Sequence, residues 1–471
     1  MKRALVICWV LLAVADVDAQ IPVNTLIDSL TNCYNREDYL AFYNFGSDNW
    51  KQHHDTAGIR GWLSWMRGQT GRITHAAPIR PEGSFQLVRW DGMLKTTAFM
   101  LQPADNGGFA DFGFNAYKEP VPAEQLKSIP TDNPLKTPFD SAVERIAGAF
   151  VTYNRPVGLS IGLVCKGKTY TYNYGSISKD KQQLPTASTP YETGSIFKTF
   201  TSLLLAKAVA EHRVSLDDDV RKYLGAGYDN LQYGGHPLRL VDLADYTSGL
   251  PPVQILRPFD ESTQEAAAAF FKGYTIAAFL EDIRKVKLDT IPGTRYVYST
   301  AGFNLLGYIL SIVYGKPYSA LLEAEVLKPL GMQHTALYLS PAQQNRLPDG
   351  YNAKGERQPD IYGPLDSLDL LHSTTYDMLQ YLEYQIAGRD SAVRLSHHQF
   401  SDAPHNEAGL GWFLYQTPDG MAIGKGGNSV HMSCRSWATP ARGTAVMVFA
   451  NCNQMDWGSL VEDLSTLLNK Q

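Results

Sequence analysis

Tyr191-Glu192-Thr193-Gly194-Ser195-Ile196-Phe197-Lys198-Thr199-Phe200 is the stretch on which the reading of this chain turns. A serine hydroxyl is a weak nucleophile at neutral pH and needs a base beside it. Serine and lysine three residues apart on a helix share one face, a turn from each other. Burial and neighbouring cations can lower a lysine's pKa until it accepts a proton. The bare spacing is common, and it also occurs at Ser176–Lys179 and Ser178–Lys181. Those pairs overlap in the polar run 176–183, with Pro185 close behind, and read as solvated turn residues. Ser195 instead follows Gly194, which permits close backbone approach. It precedes an apolar run of Ile196, Phe197, Phe200, Leu203, Leu204, Leu205, Ala208 and Val209. A helix of that composition is buried, and a buried lysine calls for a reason. The bland alternative is that Ser195 caps the helix while Lys198 reaches water along its stem. Sequence physics alone does not separate the two.

The remainder of the chain narrows the setting. Its 471 residues allow one to three domains. With 44% hydrophobic and 19% charged residues it can bury a full core. The net charge of -5 and the lack of a long basic run argue against a nucleic-acid partner. Lys2 and Arg3, the apolar stretch Ala4 to Ala15 and the small-residue site Val17-Asp18-Ala19 read as a signal peptide over residues 1–19. A buried N-terminal strand or helix is the weaker alternative. Cys8 lacks the context of a lipid-attachment site, and no later segment reads as transmembrane. The expected setting is therefore the periplasm or the exterior. There Cys33, Cys165, Cys434 and Cys452 could pair, and their pairing is left open.

Two blocks follow. Residues 20–118 open with helical patterns (Leu26-Ile27-Leu30 with Tyr34 and Leu40, then Ile59 to Met66). Strand-like pieces come next at Ser84 to Trp90, Leu94 to Leu101 and Phe109 to Tyr117. This is a small α+β accessory domain, similar in pattern to nuclear transport factor 2-like cones. Residues 119–138 are rich in proline and polar residues and read as a linker. Residues 139–471 form the larger domain. It starts with a helix (Ser141 to Tyr153) and the strands Gly158 to Cys165 and Lys168 to Tyr174. It closes with the strand Thr444 to Ala450 and a helix from Leu460 to Leu468.

The 191–200 stretch resembles the first motif of the β-lactamase and penicillin-binding-protein superfamily, most of all its class C branch. Further marks appear in the same order. They are Val214 to Asp219 with Lys222-Tyr223-Leu224, and the loop Leu243 to Pro251, in which Tyr246 stands where His is common. Pro292 to Thr300 follows, then Pro329-Leu330-Gly331-Met332, Gly409-Leu410-Gly411-Trp412 and Lys425-Gly426-Gly427. The resemblance covers about 139–468. It implies an α+β fold in which an antiparallel sheet flanked by helices carries a helical subdomain, with no cofactor and no metal.

It also implies roles. Ser195 would form an acyl-enzyme, Lys198 would take or relay its proton, and Tyr298 would share the relay. Tyr296, one step away on the same strand face, fits the Y-S-x spacing less well. Asn428 would add its backbone N–H to that of Ser195 in an oxyanion hole. Lys425 would place a fixed positive charge suited to a substrate carboxylate, with Gly426 and Gly427 lying close to the substrate. Thr300 stands where Asn is common and offers only a hydroxyl, and Gly426 lacks the usual threonine. Lys425 and export favour a DD-peptidase-like hydrolase and these departures an esterase-like one, acting on a small molecule or peptide, cell-wall peptides among the candidates. A true β-lactamase is one alternative and a non-catalytic receptor on the same fold is the other. His53-His54 and His397-His398 read as solvated, and His431 matches no specific spacing. Oligomeric state is not legible.

Overall fold

The computed structural model describes residues 22–82, 85–105, 107–116, 129–251, 270, 273–352, 354–358, 371–404, 406–453 and 455–471. The chain divides into two compact units, Met1–Glu119 and Pro120–Gln471. The expected signal segment lies outside the described residues.

In the first unit, helices α1 (Val23–Arg36), α2 (Tyr39–Asn44), α3 (Asp48–His53) and α4 (Thr56–Thr70) precede a meander of four antiparallel strands. These are β1 (Ile73–Glu82), β2 (Phe85–Gly92), β3 (Thr96–Pro103) and β4 (Phe109–Ala116), in that order across the sheet. α1 buries Leu26, Ile27, Leu30 and Tyr34, the i, i+4 spacing of one helix face. The core beneath is aromatic, with Trp90 stacked on Phe99 at 4.3 Å and Tyr34 5.0 Å from Trp90. Leu40, read as part of the helical pattern, lies on the outer side of α2 and is 61% exposed. β1 is invisible to strand propensity because it carries Pro78 and Pro81. As an edge strand it has ladder positions that need no N–H.

The second unit is built on a six-stranded antiparallel sheet. Helix α5 (Pro138–Asn154) is followed by β5 (Gly158–Cys165), β6 (Lys168–Gly175) and the short strand β7 (Tyr191–Glu192). Later come β8 (His372–Ser373), which pairs with β7, then β9 (Phe413–Thr417), β10 (Gly420–Asn428), β11 (Ser433–Thr439) and β12 (Thr444–Ala450). The spatial order is β9-β10-β11-β12-β5-β6. β12 and β5 are buried along their whole length, as central strands covered on both faces must be. One face carries α5 and the C-terminal helix Gly458–Asn469. The other carries the helical part, with helices Phe197–Ala210, Thr300–Tyr314 and Thr375–Ala387. Residues before α5 are tied to β6, where Asn173 donates its N–H and side-chain amide to the carboxylate of Asp132 (2.7 and 2.6 Å). Thr137 then closes a capping box with Asp140.

All four cysteines among the described residues are free thiols. No single described helix is long and apolar enough to cross a membrane.

Helix Thr375–Ala387 packs on β5 at Gly162. A Cβ there would stand 2.6 Å from Thr375 Cγ2 and 3.1 Å from Leu379. Gly162→Val should therefore overpack this contact and cost about 2 kcal/mol. Denaturant melts showing no loss would contradict such close packing.

Candidate active site

Ser195 lies in a 3₁₀ turn, Gly194–Ile196, that runs into helix α6 (Phe197–Ala210). α6 buries residues on every side, including Phe200, Leu203, Leu204 and Ala208, so it is an interior helix rather than an amphipathic one. Lys198, its second residue, is 0% exposed, whereas Ser195 is only half-buried. Lys198 Nζ donates to Ser195 Oγ at 3.1 Å. Around it lie the rings of Phe197, Tyr298 and Phe303, with centroids at 4.4, 5.1 and 5.8 Å. Neither of the other two serine–lysine spacings forms such a contact. Ser178 is buried and donates to Asp349, and Lys179 donates to the carbonyl of Gly355.

β10 closes the site from the sheet side. Gly420 to Gly424 pair with β9, and Ile423 and Gly424 pair with β11 as well. Lys425 to Asn428 pair only with β11, which leaves their other edge to the Ser195 turn. Two glycines make that approach possible. Gly194 has φ +46, and a Cβ on it would lie 2.7 Å from the N and O of Asn428. A Cβ on Gly427 would lie 2.0 Å from the carbonyl oxygen of Thr193. Behind them the Cys434 thiol donates to that same carbonyl (3.1 Å). Buried Glu192 meets His431 Nδ1 at 3.0 Å, tying β7 to the turn after β10. His431, without a role in the sequence, thus belongs to the frame of the site.

Lys425 is 1% exposed. Its Nζ donates to the hydroxyl of Tyr246 and sits over the rings of Phe413, Tyr246 and Tyr298, at 4.1, 4.5 and 4.8 Å. Burial, then the charges of Lys198 and Arg435, hold its pKa well below the ordinary lysine value. The fixed positive charge expected at this position is therefore disfavoured, because the strand places the amine in a dry aromatic box.

Tyr298 stands between the two amines, its ring stacked on Tyr246 at 5.0 Å and 15°. Tyr296 only edges Tyr246, at 5.9 Å and 63°. Thr300 begins the helix Thr300–Tyr314, capped by Ser299, whose hydroxyl also donates to the Pro251 carbonyl (2.8 Å).

Tyr246 is the residue that sequence reading registered only as a departure from a pattern. It is 1% exposed and adopts φ 66, a left-handed conformation uncommon outside glycine. Its hydroxyl donates to Gly411 O (2.9 Å). Burial, then the neighbouring tyrosines, raise its pKa far above the usual phenol value, so it stays neutral. Gly411 is itself pressed against α6, since a Cβ there would lie 2.5 Å from Ser202 Oγ and 2.7 Å from the Lys198 carbonyl.

His397 corrects a further expectation. It is half-buried rather than solvated, with Nε2 against Gln385 (2.9 Å), and burial lowers its pKa to about 4. His398 and His54 are exposed as expected, and the side chain of His53 lies outside the described residues.

A family model described as Beta-lactamase matches residues 143–465. A beta-lactamase of Pseudomonas fluorescens is 27% identical over 309 residues, covering 62% of this chain and 80% of its own. The D-alanyl-D-alanine-carboxypeptidase/endopeptidase AmpH of Escherichia coli K12 is 26% identical over 317 residues, covering 63% of this chain and 79% of its own. Among solved structures, a beta-lactamase/D-alanine carboxypeptidase from Yersinia pestis superposes with a TM-score of 0.59 at 22% identity. It covers 70% of this chain and 98% of that one, and shares the antiparallel sheet and flanking helices.

The loop holding Tyr246 carries its own titratable marker. Asp245 is 2% exposed and accepts from Thr247 Oγ1 (2.6 Å), and burial pushes its pKa up to about 7. A folded-state value above the unfolded one stabilises at low pH and loses that contribution as pH rises from about 4 to about 7. Asp245→Asn should therefore gain on the wild type by on the order of 3 kcal/mol between pH 5 and 7.5. Denaturant midpoints across that range check this, and a pH-independent difference would contradict it.

Proposed function

Because the chain belongs to the beta-lactamase family and is a serine hydrolase, we propose that it works through an acyl-enzyme on Ser195. The observation that carries this is the amine of fully buried Lys198 3.1 Å from the hydroxyl of half-buried Ser195. Ser195 Oγ attacks the substrate carbonyl carbon as its proton passes to Lys198 Nζ. The backbone N–H groups of Ser195 and Asn428 hold the developing oxyanion, a contribution worth about a hundredfold or more per donor. Tyr298, flanked by both amines, passes a proton to the leaving group as the scissile bond breaks. It then takes one from the water that cleaves the ester. Lys425 and Tyr246 keep that phenol in place and tune the local charge.

The substrate is an amide or ester. Thr300 in place of an amide side chain, and Gly426 without a hydroxyl, support an esterase-like activity, and Lys425 with the export signal supports a DD-peptidase-like one, both over rapid β-lactam turnover. The relative acting as a D-alanyl-D-alanine carboxypeptidase supports the same preference, and the relatives named beta-lactamase support the alternative. The segment 1–19 supports export. The first unit is read as an accessory domain similar to nuclear transport factor 2-like cones that aids substrate binding or assembly. Removing residues 20–118 without effect on activity or oligomeric state would overturn that role.

The chain should hydrolyse at least one member of a panel of p-nitrophenyl esters, D-Ala-D-Ala peptides and nitrocefin. Ser195→Ala should lower kcat ten-thousandfold or more. Tyr298→Phe should cost about a hundred- to ten-thousandfold while leaving KM within a few-fold. An inert wild-type chain that also resists acylating probes would favour a receptor on this fold.

A further inference from the structure

A cavity of about 470 Å³ borders the loop that carries Tyr246, and none of Ser195, Lys198, Tyr298 or Lys425 lines it. Its size is that of a small-molecule site rather than of a trapped water. The 214–219 segment supplies Leu216 and Asp217, and the turn into the short helix Leu240–Ala244 supplies Arg239 and Val241. The 400–404 segment supplies Phe400 and Asp402. Backbone contacts hold these walls together. Gly293 donates its N–H to the Thr247 carbonyl (2.9 Å), and Ser401 Oγ donates to the Gly293 carbonyl (3.0 Å). Asp245 also lines the cavity, although it is 2% exposed. Its Oδ1 accepts from the N–H and the hydroxyl of Thr247 (3.2 and 2.6 Å). Its Oδ2 has no donor and is not sealed off, so it is the oxygen presented to the cavity.

A buried carboxylate with a bare oxygen is costly unless a cation meets it. That cost is what pushes Asp245 up to about 7. The cavity supplies no such cation of its own. Asp217, Asp245 and Asp402 share its walls with a single arginine, Arg239. The fork of Arg239 is already taken, Nη1 by Asp217 (2.9 Å), Nε and Nη2 by Asp242 (3.1 and 2.8 Å). Among the described residues neither Asp245 nor Asp402 forms an ion pair. A metal ion does not suit the place, because no three metal-ligating side chains come together among the described residues. Leu216, Val241 and Phe400 give the cavity an apolar side as well. An ammonium group on a small apolar body matches both features, since its N–H groups make charge-assisted bonds to a carboxylate.

We infer that this cavity is a second binding site, which takes a small organic ammonium ion with its N–H groups on Asp245 and its apolar body against Val241 and Phe400. Binding there does not depend on the reaction at Ser195. It draws the proton off Asp245. The charges facing that carboxylate are Asp242 and Arg239 from its own turn, Asp217 from the 214–219 segment and Asp402 from the 400–404 segment. The 292–294 segment and Asn406, whose amide donates to the Asp245 carbonyl (3.2 Å), bring none.

The test is titration calorimetry on the full chain with benzylammonium and with benzyl alcohol, its uncharged counterpart. At pH 7.5 the wild type should bind benzylammonium about 10- to 100-fold more tightly, the worth of a charge-assisted hydrogen bond. Lowering the pH to 5.5 should weaken benzylammonium about tenfold, because the proton must then leave Asp245 first, and should leave benzyl alcohol unchanged. Asp245→Asn removes a costly buried charge and should fold. It should bring the affinity for benzylammonium down to that for benzyl alcohol and abolish its pH dependence. Asp402→Asn, at an exposed position, should weaken benzylammonium by a few-fold. No binding of benzylammonium at millimolar concentration, equal affinity for the two probes, or an affinity indifferent both to pH and to Asp245→Asn would overturn the assignment.

Discussion

The structure depends on keeping an amine out of water next to a hydroxyl that water can reach. That amine is Lys198 Nζ. Its setting is Ser195 Oγ, three aromatic rings and the interior of the sheet-packed helix that carries it. Burying a charged ammonium is costly, and the cost is relieved when the group gives up or shares its proton. A second buried amine, Lys425, raises that pressure, and the electrostatics show it directly in Lys425. Two amines and a phenol packed in one dry box are thus poised to move a proton.

The sheet supplies the opposing wall. β10 reaches Ser195 only because Gly194 and Gly427 leave room for backbone against backbone. The Cys434–Thr193 and Glu192–His431 contacts fix the turn to the neighbouring strands. Tyr246 joins the walls, touching Lys425, Tyr298 and the Gly411 backbone that presses on α6. Its left-handed backbone is strain held by that packing.

What the sequence revealed and what it hid follow from the range of the forces involved. Strands β5 and β12 were legible to their ends because each is a short apolar run bounded by turn residues. Ser195 and Lys198 were legible as a pair because one helical turn fixes their separation. Tyr298 and Lys425 were reachable only through the family's order of motifs, since tertiary folding alone brings them to the same box. The contact of Tyr246 with Lys425 carried no local signal at all, because it joins a loop to a strand across 179 residues of separation. The lowered pKa of Lys425 and the partial burial of His397 have one origin that residue type does not carry: burial is a property of the fold.

An experimental structure of the chain after reaction with a fluorophosphonate tests this arrangement most directly. Phosphorus should be bonded to Ser195 Oγ, with its phosphoryl oxygen between the backbone N–H groups of Ser195 and Asn428. Lys198 Nζ should remain within hydrogen-bonding distance of the serine oxygen. Phosphorus on another side chain, or a phosphoryl oxygen turned to solvent with the 198 amine pointing away, would contradict it.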